Sequence, residues 1–313
     1  MKANIKASPK KFSIENIEKD FKHNKILFLL ILPVLVYIIV FHYIPMSGII
    51  MAFQNYKPAL GILGSKFVGF RHFKDFFSSI YFQRTLSNTI AISLKDLCFN
   101  FPAAIIFALL LNEIGNKYFK KTVQTISYMP HFISLVVVSG LIIDFCNDGG
   151  LVAIIYNRLT GNVGGLMQQP KLFQQIYTVS SIWQSIGFNS ILYIAALAGV
   201  DKELYDAARV DGANRWQQML HVTLPGISTT IIIMLILKVG MTMNVGFEKI
   251  ILLYNPLTME KADVISSFVY RKGLEEFNYG YSAAVSLFNS VINFVLICVT
   301  NHYSKKMSDT SLF

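Results

Sequence analysis

Charged side chains interrupt several long apolar runs of this 313-residue chain. Lys95 and Asp96 are adjacent in one run, Asp144 lies in the next, and Lys238 lies in a later one. A charge at the centre of a bilayer costs about 2.5–3.5 kcal/mol, so such side chains usually face a helix-bundle interior or a water-filled path. Two interpretations stay open: these groups line a polar cavity or pair with a second chain, or they form structural ion pairs. Lys95 and Asp96 are expected to point in different directions on a helix and not to neutralise each other.

Amides close to aromatic rings offer a second kind of chemistry, the binding of sugar hydroxyls and of the apolar faces of sugar rings. Asn189 precedes Tyr193 by one helical turn, and Asn244 stands in the same relation to Phe247. The alternative is hydrogen bonding between helices, worth about 0.6 kcal/mol for each contact. The candidates for a substrate path are therefore Asn189, Tyr193, Asn244, Asn289, Lys95 and Lys238.

The sequence lacks the motifs of catalysis and metal binding. The six histidines form no H-E-x-x-H motif, and Cys98, Cys146 and Cys298 form no C-x-x-C pair. No G-x-x-x-x-G-K-[ST] string is present, so any ATP must be used by another chain. We expect neither enzyme activity nor a bound metal or cofactor.

The composition indicates an all-α membrane protein that crosses the bilayer several times. Hydrophobic residues make up 53% of the chain and charged residues 15%, and the mean hydropathy is +0.48. Soluble domains are closer to one quarter charged. The net charge of +10 could suggest nucleic acid, but the basic residues are spread over loops, where membrane orientation explains them better. The expected location is a cell membrane.

Six runs are long enough to cross a bilayer, which takes about 20 apolar residues. They divide the chain into a tail of residues 1–25, a transmembrane domain of residues 26–302 and a tail of residues 303–313. Pro130 is expected to bend or to start the third run. The six predicted spans are residues 26–44, 85–111, 123–145, 176–200, 227–247 and 281–301.

The basic residues predict the orientation. The N-terminal tail has no small-residue cleavage site, so we expect it to be retained. Its stretch "SIENIEKDFKHNK" suits a short helix on the inner membrane surface, or else an ordinary solvated leader. Both termini, and with six spans the loop of residues 201–226, are expected in the cytoplasm. The lysines of the tail up to the first span are Lys2, Lys6, Lys10, Lys11, Lys19, Lys22 and Lys25.

The loop of residues 201–226, "DKELYDAARVDGANRWQQMLHVTLPG", contains more helix-capping and turn residues than a simple connection between two spans requires. Asp201 can cap a helix whose first turn carries Glu203. Gly212 is the residue most tolerant of the left-handed conformation that ends helices. One face of the helix is small and mostly apolar, with Leu204, Ala207, Ala208 and Asp211 at helical spacing.

The rest of the loop predicts a second helix. Asn214 followed three residues later by Gln217 resembles a capping box. Trp216 contributes to an apolar face, and Pro225 is expected to end the unit before the fifth span. The loop therefore predicts a helix, a sharp turn, a second helix and a stop.

This loop resembles the EAA loop of binding-protein-dependent ABC importer permeases, whose pattern is E-A-A, three residues, G, nine residues and I-x-L-P. The stretch "DAARVDGANRWQQMLHVTLP" keeps that spacing throughout. Asp206 replaces the glutamate and Val222 replaces the isoleucine, so charge and shape are retained. Further segments resemble the carbohydrate-importer branch, of the polysaccharide and oligosaccharide type, over residues 27–306: "LPVLVYIIVFHYIPMSGIIMAFQNY", "FVGFRHFKDFF", "YMPHFIS" and "YGYSAAVSLFNSVINFVLICVTNHYSKK".

The resemblance implies a type I ABC importer permease fold, a multi-pass location in the bacterial plasma membrane and a set of partners. In that family the loop is a coupling helix that docks in a cleft of a cytoplasmic ATPase, which uses ATP and Mg²⁺. A second homologous permease, two ATPase subunits and an extracytoplasmic solute-binding protein or lipoprotein are implied. The residues implied in coupling are Asp206, Ala207, Ala208, Arg209, Asp211, Gly212, Trp216, Leu224 and Pro225.

Three alternatives compete with a carbohydrate importer. A secondary transporter driven by an ion gradient would require a mid-membrane carboxylate or related halves, and Asp96 is the sole mid-span acid that the prediction offers. A membrane-embedded enzyme would require a convergent acid, base or metal set, which the sequence does not offer. An ABC permease for an amino acid, phosphate or metal is the third.

Overall fold

The computed structural model describes residues 24–308, and apart from one short hairpin its regular structure in that range is helical. The predicted surface helix around residues 14–21 lies outside the described residues. The described residues divide into two compact units, with the boundary between Ile50 and Met51. Helix α1, Lys25–Phe53, contains the first predicted span, and the mean hydropathy of 2.7 in an 18-residue window suits a membrane helix.

A hairpin and a short helix connect the first two predicted spans. Strand β1 (Gln54–Asn55) pairs antiparallel with β2 (Lys66–Phe67), with Gln54 opposite Phe67. Helix α2, Arg71–Phe77, follows, and its buried Phe76 contacts the rings of Phe82 and Phe268. Ring contacts of Phe76 thus fix α2 to the helices that contain the second and sixth predicted spans.

The second predicted span is a continuous helix, α3, Ile80–Glu113. It begins before and ends after the predicted residues 85–111, because polar residues at both ends extend the helix beyond the apolar run. A π-helical turn, Asp96–Asn100, lies near its middle. Such turns often mark functional sites, and here the turn places Asp96 and Asn100 on one side, with Asn100 Nδ2 donating to Asp96 Oδ1 at 2.7 Å.

The third predicted span, residues 123–145, is a bent pair of helices, and the bend expected at Pro130 is confirmed. Helix α4, Lys117–Phe132, is followed by α5, Leu135–Cys146, at an angle of 99°. Pro130 lies in the last turn of α4, and Ile133 and Ser134 then leave the helical conformation (ψ 138° and 136°). Helix α6, Leu151–Thr160, follows and ends at a left-handed glycine.

The fourth span is the continuous helix α7, Pro170–Ala198. Its Pro170 stands in the first turn, where a missing N–H is tolerated. Gly187 allows α7 to approach α4 closely, because a Cβ at this position would lie 2.2 Å from the carbonyl oxygen of Ser127. A small residue at this contact is the usual solution when helices pack in membranes.

The fifth span also differs from its predicted extent. Two helices, α8 (Lys202–Val210) and α9 (Arg215–Gly226), precede α10, Ser228–Gly240, which meets α9 at 61°. We predicted helix up to residue 247, but residues 241–246 leave the helix. Side-chain amides hold this irregular stretch: Asn293 Oδ1 accepts from Met243 N at 3.0 Å, and Asn289 Nδ2 donates to Asn244 Oδ1 at 2.9 Å.

Three short helices connect the fifth span to the last one. The last helix, α14, is Tyr279–Ser308 and contains the sixth predicted span. The six predicted spans thus correspond to four continuous helices and two bent pairs among the described residues. The short helices are α11 (Phe247–Leu253), α12 (Met259–Ala262) and α13 (Ile265–Tyr270).

Candidate functional site

The first helix of the candidate coupling loop has the predicted caps. Asp201 Oδ1 accepts a hydrogen bond from the backbone N–H of Glu203 at 3.0 Å and so caps the start of α8. The helix ends in a Schellman motif: the N–H of Ala213 donates to the carbonyl oxygen of Ala208, and that of Gly212 donates to Arg209. Gly212 has φ +80°, the left-handed conformation that glycine adopts most easily.

The second helix begins with the predicted capping box. Asn214 Oδ1 accepts from the N–H of Gln217 at 2.9 Å, and Gln217 Oε1 accepts from the N–H of Asn214 at 2.8 Å. The predicted stop differs slightly, since α9 contains Pro225 and ends one residue later, at Gly226. A π-helical turn, Met219–Thr223, directly precedes the segment with the proline.

The loop presents large apolar side chains to its surroundings. Val210 is 88% exposed and Trp216 is 66% exposed, and Leu204 and Leu220 are exposed as well. Asp206 and Arg209 form an exposed ion pair at 3.0 Å. An exposed group of apolar residues with charged neighbours is the usual composition of a binding surface.

The loop is fixed to the helix bundle at defined points. Tyr205 Oη donates to Thr223 Oγ1 at 3.0 Å and joins α8 to α9. Arg215 Nη1 lies 3.4 Å from Glu113 Oε2 at the end of α3. Leu224 packs against a core cluster that contains buried Ile227. The loop is therefore a folded unit with fixed attachments to the spans.

A polar cavity lies among the spans of the second unit. Its volume is about 440 Å³, and α3, α4, α7 and the segment that follows α10 contribute to its wall. Hydroxyls, amides and one ion pair line it, together with aromatic rings. The polar lining residues that the argument uses are Asp96, Asn100, Ser181, Gln184, Ser185 and Lys238.

Two of the four predicted span charges, Asp96 and Lys238, pair across helices, whereas Asp144 is exposed. Lys238 Nζ contacts Asp96 Oδ2 in an ion pair between α10 and α3. Lys95 points away from Asp96, as expected, and donates to Gln174 Oε1 of α7 at 2.9 Å. Ser185 Oγ donates to Asn100 Oδ1 at 3.2 Å and joins α7 to the π-helical turn of α3. Asp96 and Lys238 form an ion pair, and both line the cavity, so a role of Lys238 in the substrate path stays a prediction.

The six predicted substrate-path residues fall at different places. Asn189, Tyr193 and Lys238 line a second, largely apolar cavity of about 610 Å³. Asn244 lines the polar cavity, and it also lines a third cavity together with Asn289. The contact between these two asparagines matches the alternative of interhelical hydrogen bonding. The structure thus brings Lys238 and Asn244 to one cavity, and Lys95 contacts Gln174 instead.

Sequence reasoning missed several groups of the polar cavity. Ser181 and Gln184 belong to the stretch "VSSIWQS" of α7, whose serine and glutamine spacing marks a polar helix face. Lys249 lies just beyond the predicted fifth span, yet it is 5% exposed and donates to Ser181 Oγ at 3.0 Å. His131 lines the same cavity and stacks on Phe188 at 3.8 Å between ring centroids.

A folded two-helix loop and a polar cavity between membrane helices are typical of a subunit of a membrane transporter. The comparison with known families agrees. The chain belongs to the family described as binding-protein-dependent transport system inner membrane component, whose model matches residues 100–309. It is therefore a multi-pass permease subunit of an ABC importer, a pore component and not an enzyme. The resemblance found in the loop sequence is confirmed.

Similar curated proteins cover nearly the whole chain. Protein LplB of Bacillus subtilis (strain 168) is 43% identical over 293 residues, which is 93% of this chain and 92% of the relative. The polygalacturonan/rhamnogalacturonan transport system permease protein YteP of the same organism is 40% identical over 290 residues, 92% of this chain and 90% of the relative.

Solved structures agree with the fold. A bacterial ABC transporter involved in the import of the acidic polysaccharide alginate has a chain that is 40% identical, with a TM-score of 0.86, and the match covers 94% of this chain and 99% of that one. The alginate transporter in complex with an alginate pentasaccharide-bound periplasmic protein gives a TM-score of 0.87 at 40% identity, over 95% and 100%.

Proposed function

We propose that this chain forms half of the pore of an ATP-driven importer for an oligosaccharide, and that residues 201–226 dock on a separate ATPase. The observation that carries the proposal is the loop itself. Its two helices are capped at both ends of the turn, and its large apolar side chains are exposed. Such a rigid, apolar surface is suited to transmit a movement of a partner to the spans.

The coupling role belongs to the loop residues that match the family pattern. Gly212 has open space around it, since an added Cβ would meet nothing within 4 Å, so its importance within this chain is conformational. Asp206 and Arg209 supply charge at the rim, and Trp216 supplies apolar area. Leu224 and Pro225 connect this surface to the fifth span. The proposal places the loop and both termini in the cytoplasm.

The substrate class rests on the cavity and on the relatives. A cavity with hydroxyls, amides and the rings of Tyr177 and His131 suits a sugar better than an apolar solute. One relative is described as a polygalacturonan/rhamnogalacturonan transport permease, and the solved structures concern alginate import. These are acidic polysaccharides, so we propose that this chain carries saccharides of that kind.

The proposed assembly contains four kinds of chain. A homologous second permease would complete the pore, and two ATPase subunits would bind and hydrolyse ATP with Mg²⁺. A solute-binding protein outside the membrane would deliver the saccharide, as the alginate transporter is described in complex with such a protein.

Co-purification of the tagged chain from its native cell tests the coupling role. We expect an ATPase and a second permease to accompany the wild-type chain. Trp216→Ala and Val210→Gln should lose the ATPase and keep the second permease, because they remove exposed apolar area from the loop alone. Tyr118→Ala is the matched control, since Tyr118 is 87% exposed on α4, outside the loop.

Retention of the ATPase by both loop variants would contradict the docking role. The energy source is tested by uptake: uptake that continues without the ATPase and stops when ion gradients are collapsed would support a secondary transporter instead. Normal import of a non-sugar solute, with no saccharide uptake, would contradict the substrate class.

A further inference from the structure

Lys249 is a buried charge beside the polar cavity, and the ion pairs of the described residues leave it without a carboxylate. It lies in the first turn of α11, directly after the irregular stretch that lines the cavity. Its ammonium donates to Ser181 Oγ at 3.0 Å and to Gln184 Oε1 at 3.4 Å, and it lies 5.4 Å from the centroid of the Tyr177 ring. All three partners are neutral and all three line the cavity.

The charges around the cavity do not balance. Asp96 is in an ion pair with Lys238, and the same carboxylate acts on Lys249 over a longer distance. Burial lowers the pKa of Lys249 to about 8, and Asp96 opposes that shift. Two ammonium groups thus share one carboxylate. The other titratable groups that face the cavity are His131 and Tyr177.

A buried ammonium with neutral partners is costly, and a negative charge brought beside it lowers that cost. Ser181 and Gln184 separate Lys249 from the cavity by a single layer of side chains. A carboxylate in the cavity could therefore take the place of the Gln184 contact or be held through Ser181. A neutral sugar of the same size gains nothing from the excess positive charge.

We propose that Lys249 gives the translocation cavity its preference for carboxylate-bearing saccharides, with Ser181 and Gln184 as the groups between it and the substrate. This inference rests on the proposed function, since it concerns the substrate of the same pore. It assigns Lys249 a role in charge selection, whereas Asp96 and Lys238 form the paired part of the wall.

A purely structural role is the competing explanation, because the bonds from Lys249 also join α11 to α7. The two explanations differ in one readout. A structural lysine affects the uptake of all substrates equally, whereas a charge-selecting lysine affects the ratio between a charged and an uncharged substrate. The binding protein is the same for every permease variant, so its own preference cancels when the acid-to-ester ratios of two variants are compared.

The test uses the complete importer in proteoliposomes with saturating binding protein. Galacturonate and mannuronate tetrasaccharides are supplied as acids and as full methyl esters, which keep the length and remove the charge. The variants are Lys249→Gln and Lys249→Arg, with Lys261→Gln as the control because Lys261 is an exposed lysine of the same connecting segment. Unfolding temperature is measured for each.

The Lys249→Gln variant should lower the acid-to-ester uptake ratio about tenfold, the loss expected for one charge-assisted contact. The Lys249→Arg and Lys261→Gln variants should keep the ratio near the wild-type value. An equal loss of acid and ester uptake would overturn the inference and leave the proposed function intact. Absence of uptake of all four saccharides by the wild-type importer would overturn the proposed function, and the inference with it.

Discussion

Replacing Asp263 with asparagine should separate the segment of α12 and α13 from the start of the second span. Asp263 is 2% exposed and lies between these two helices. Its carboxylate accepts from Arg84 of α3 at 3.0 Å, from Arg271 at 2.7 and 3.2 Å, and from Ser267 Oγ at 2.9 Å. One carboxylate therefore holds two guanidinium groups.

The expected loss of stability comes from the two guanidinium groups that no longer have a carboxylate beside them. Asparagine keeps the shape but leaves Arg84 and Arg271 without a counter-ion, and breaking a buried pair in this way costs about 3–5 kcal/mol. Burial alone would lower the pKa of Arg271, but the hydrogen bonds and charge of Asp263 raise it overall, which shows that the pair dominates. The side-chain amide of Asn88 donates to the backbone carbonyl oxygens of Glu260 and Asp263, and these two hydrogen bonds stay in the variant and limit the opening.

Two measurements report this opening. The first is the unfolding temperature of the purified chain in detergent. The second is the labelling rate of a cysteine introduced at Ala262, which is buried and makes no side-chain hydrogen bond to Asp263, by a water-soluble maleimide. We expect a lower unfolding temperature in the Asp263→Asn variant. Placed in an Ala262→Cys background, the same change should speed labelling.

Glu276→Gln is the matched control. Glu276 accepts from Lys272 at 2.6 Å, but its side chain is 46% exposed, so the pair contributes about 0–1 kcal/mol. If Asp263→Asn lowered the unfolding temperature no more than Glu276→Gln, the reasoning from burial would be refuted. A restored unfolding temperature in Asp263→Asn combined with Arg84→Met would support it, because that change removes one unpaired charge.

Three further predictions concern the spans and the cavity. Gly187→Ala should lower the unfolding temperature, at a cost of about 1–3 kcal/mol from overpacking, whereas Gly140→Ala should not, because its added Cβ meets nothing within 4 Å. Asp96→Asn should slow saccharide uptake, and adding Lys238→Gln should restore part of the rate by removing the unpaired ammonium. Raising the pH from about 7 to about 9 should reduce acid uptake but not ester uptake, because the ammonium of Lys249, with a pKa of about 8, is present below that pH and lost above it.

The loop of residues 201–226 was predictable from sequence because its determinants are local. Asp201, Gly212, Asn214 and Gln217 each form their capping contacts within three residues or at a glycine turn. Helix caps depend on residue type and spacing, both of which are visible in the sequence. The coupling role of these residues stays a prediction.

The angle of the bend in the third span and the early end of the fifth span were not predictable, because hydropathy records composition and not direction. Pro130 predicts a bend or a helix start, but residues 123–145 are apolar on both sides of the break, so the sequence does not give the angle. The fifth span ends early because Asn293 of α14, 50 residues later, accepts a hydrogen bond from the backbone N–H of Met243. That contact joins distant parts of the chain, so the sequence of the fifth span alone does not reveal it.

The cavity was only partly predictable for the same reason. Asp96 and Lys238 were identified one at a time, as costly charges in apolar runs, but their pairing joins α3 to α10. Lys249 lies outside the apolar runs, so its position in the sequence resembles that of a solvated loop residue. Its burial depends on the packing of α11 against α5 and α13 and on its own side-chain contacts with α7.

Two carboxylates of the second unit, Asp263 and Asp96, differ in a way that fits their positions. Asp263 is enclosed, and its network joins the connecting segment to the start of the second span. The side chain of Asp96 is 25% exposed, and its partner Lys238 is 37% exposed, so their ion pair faces the cavity and is not enclosed. A change at Asp263 is therefore expected to act on the stability of the fold, whereas a change at Asp96 or Lys238 is expected to act on the charge that the cavity presents to a substrate.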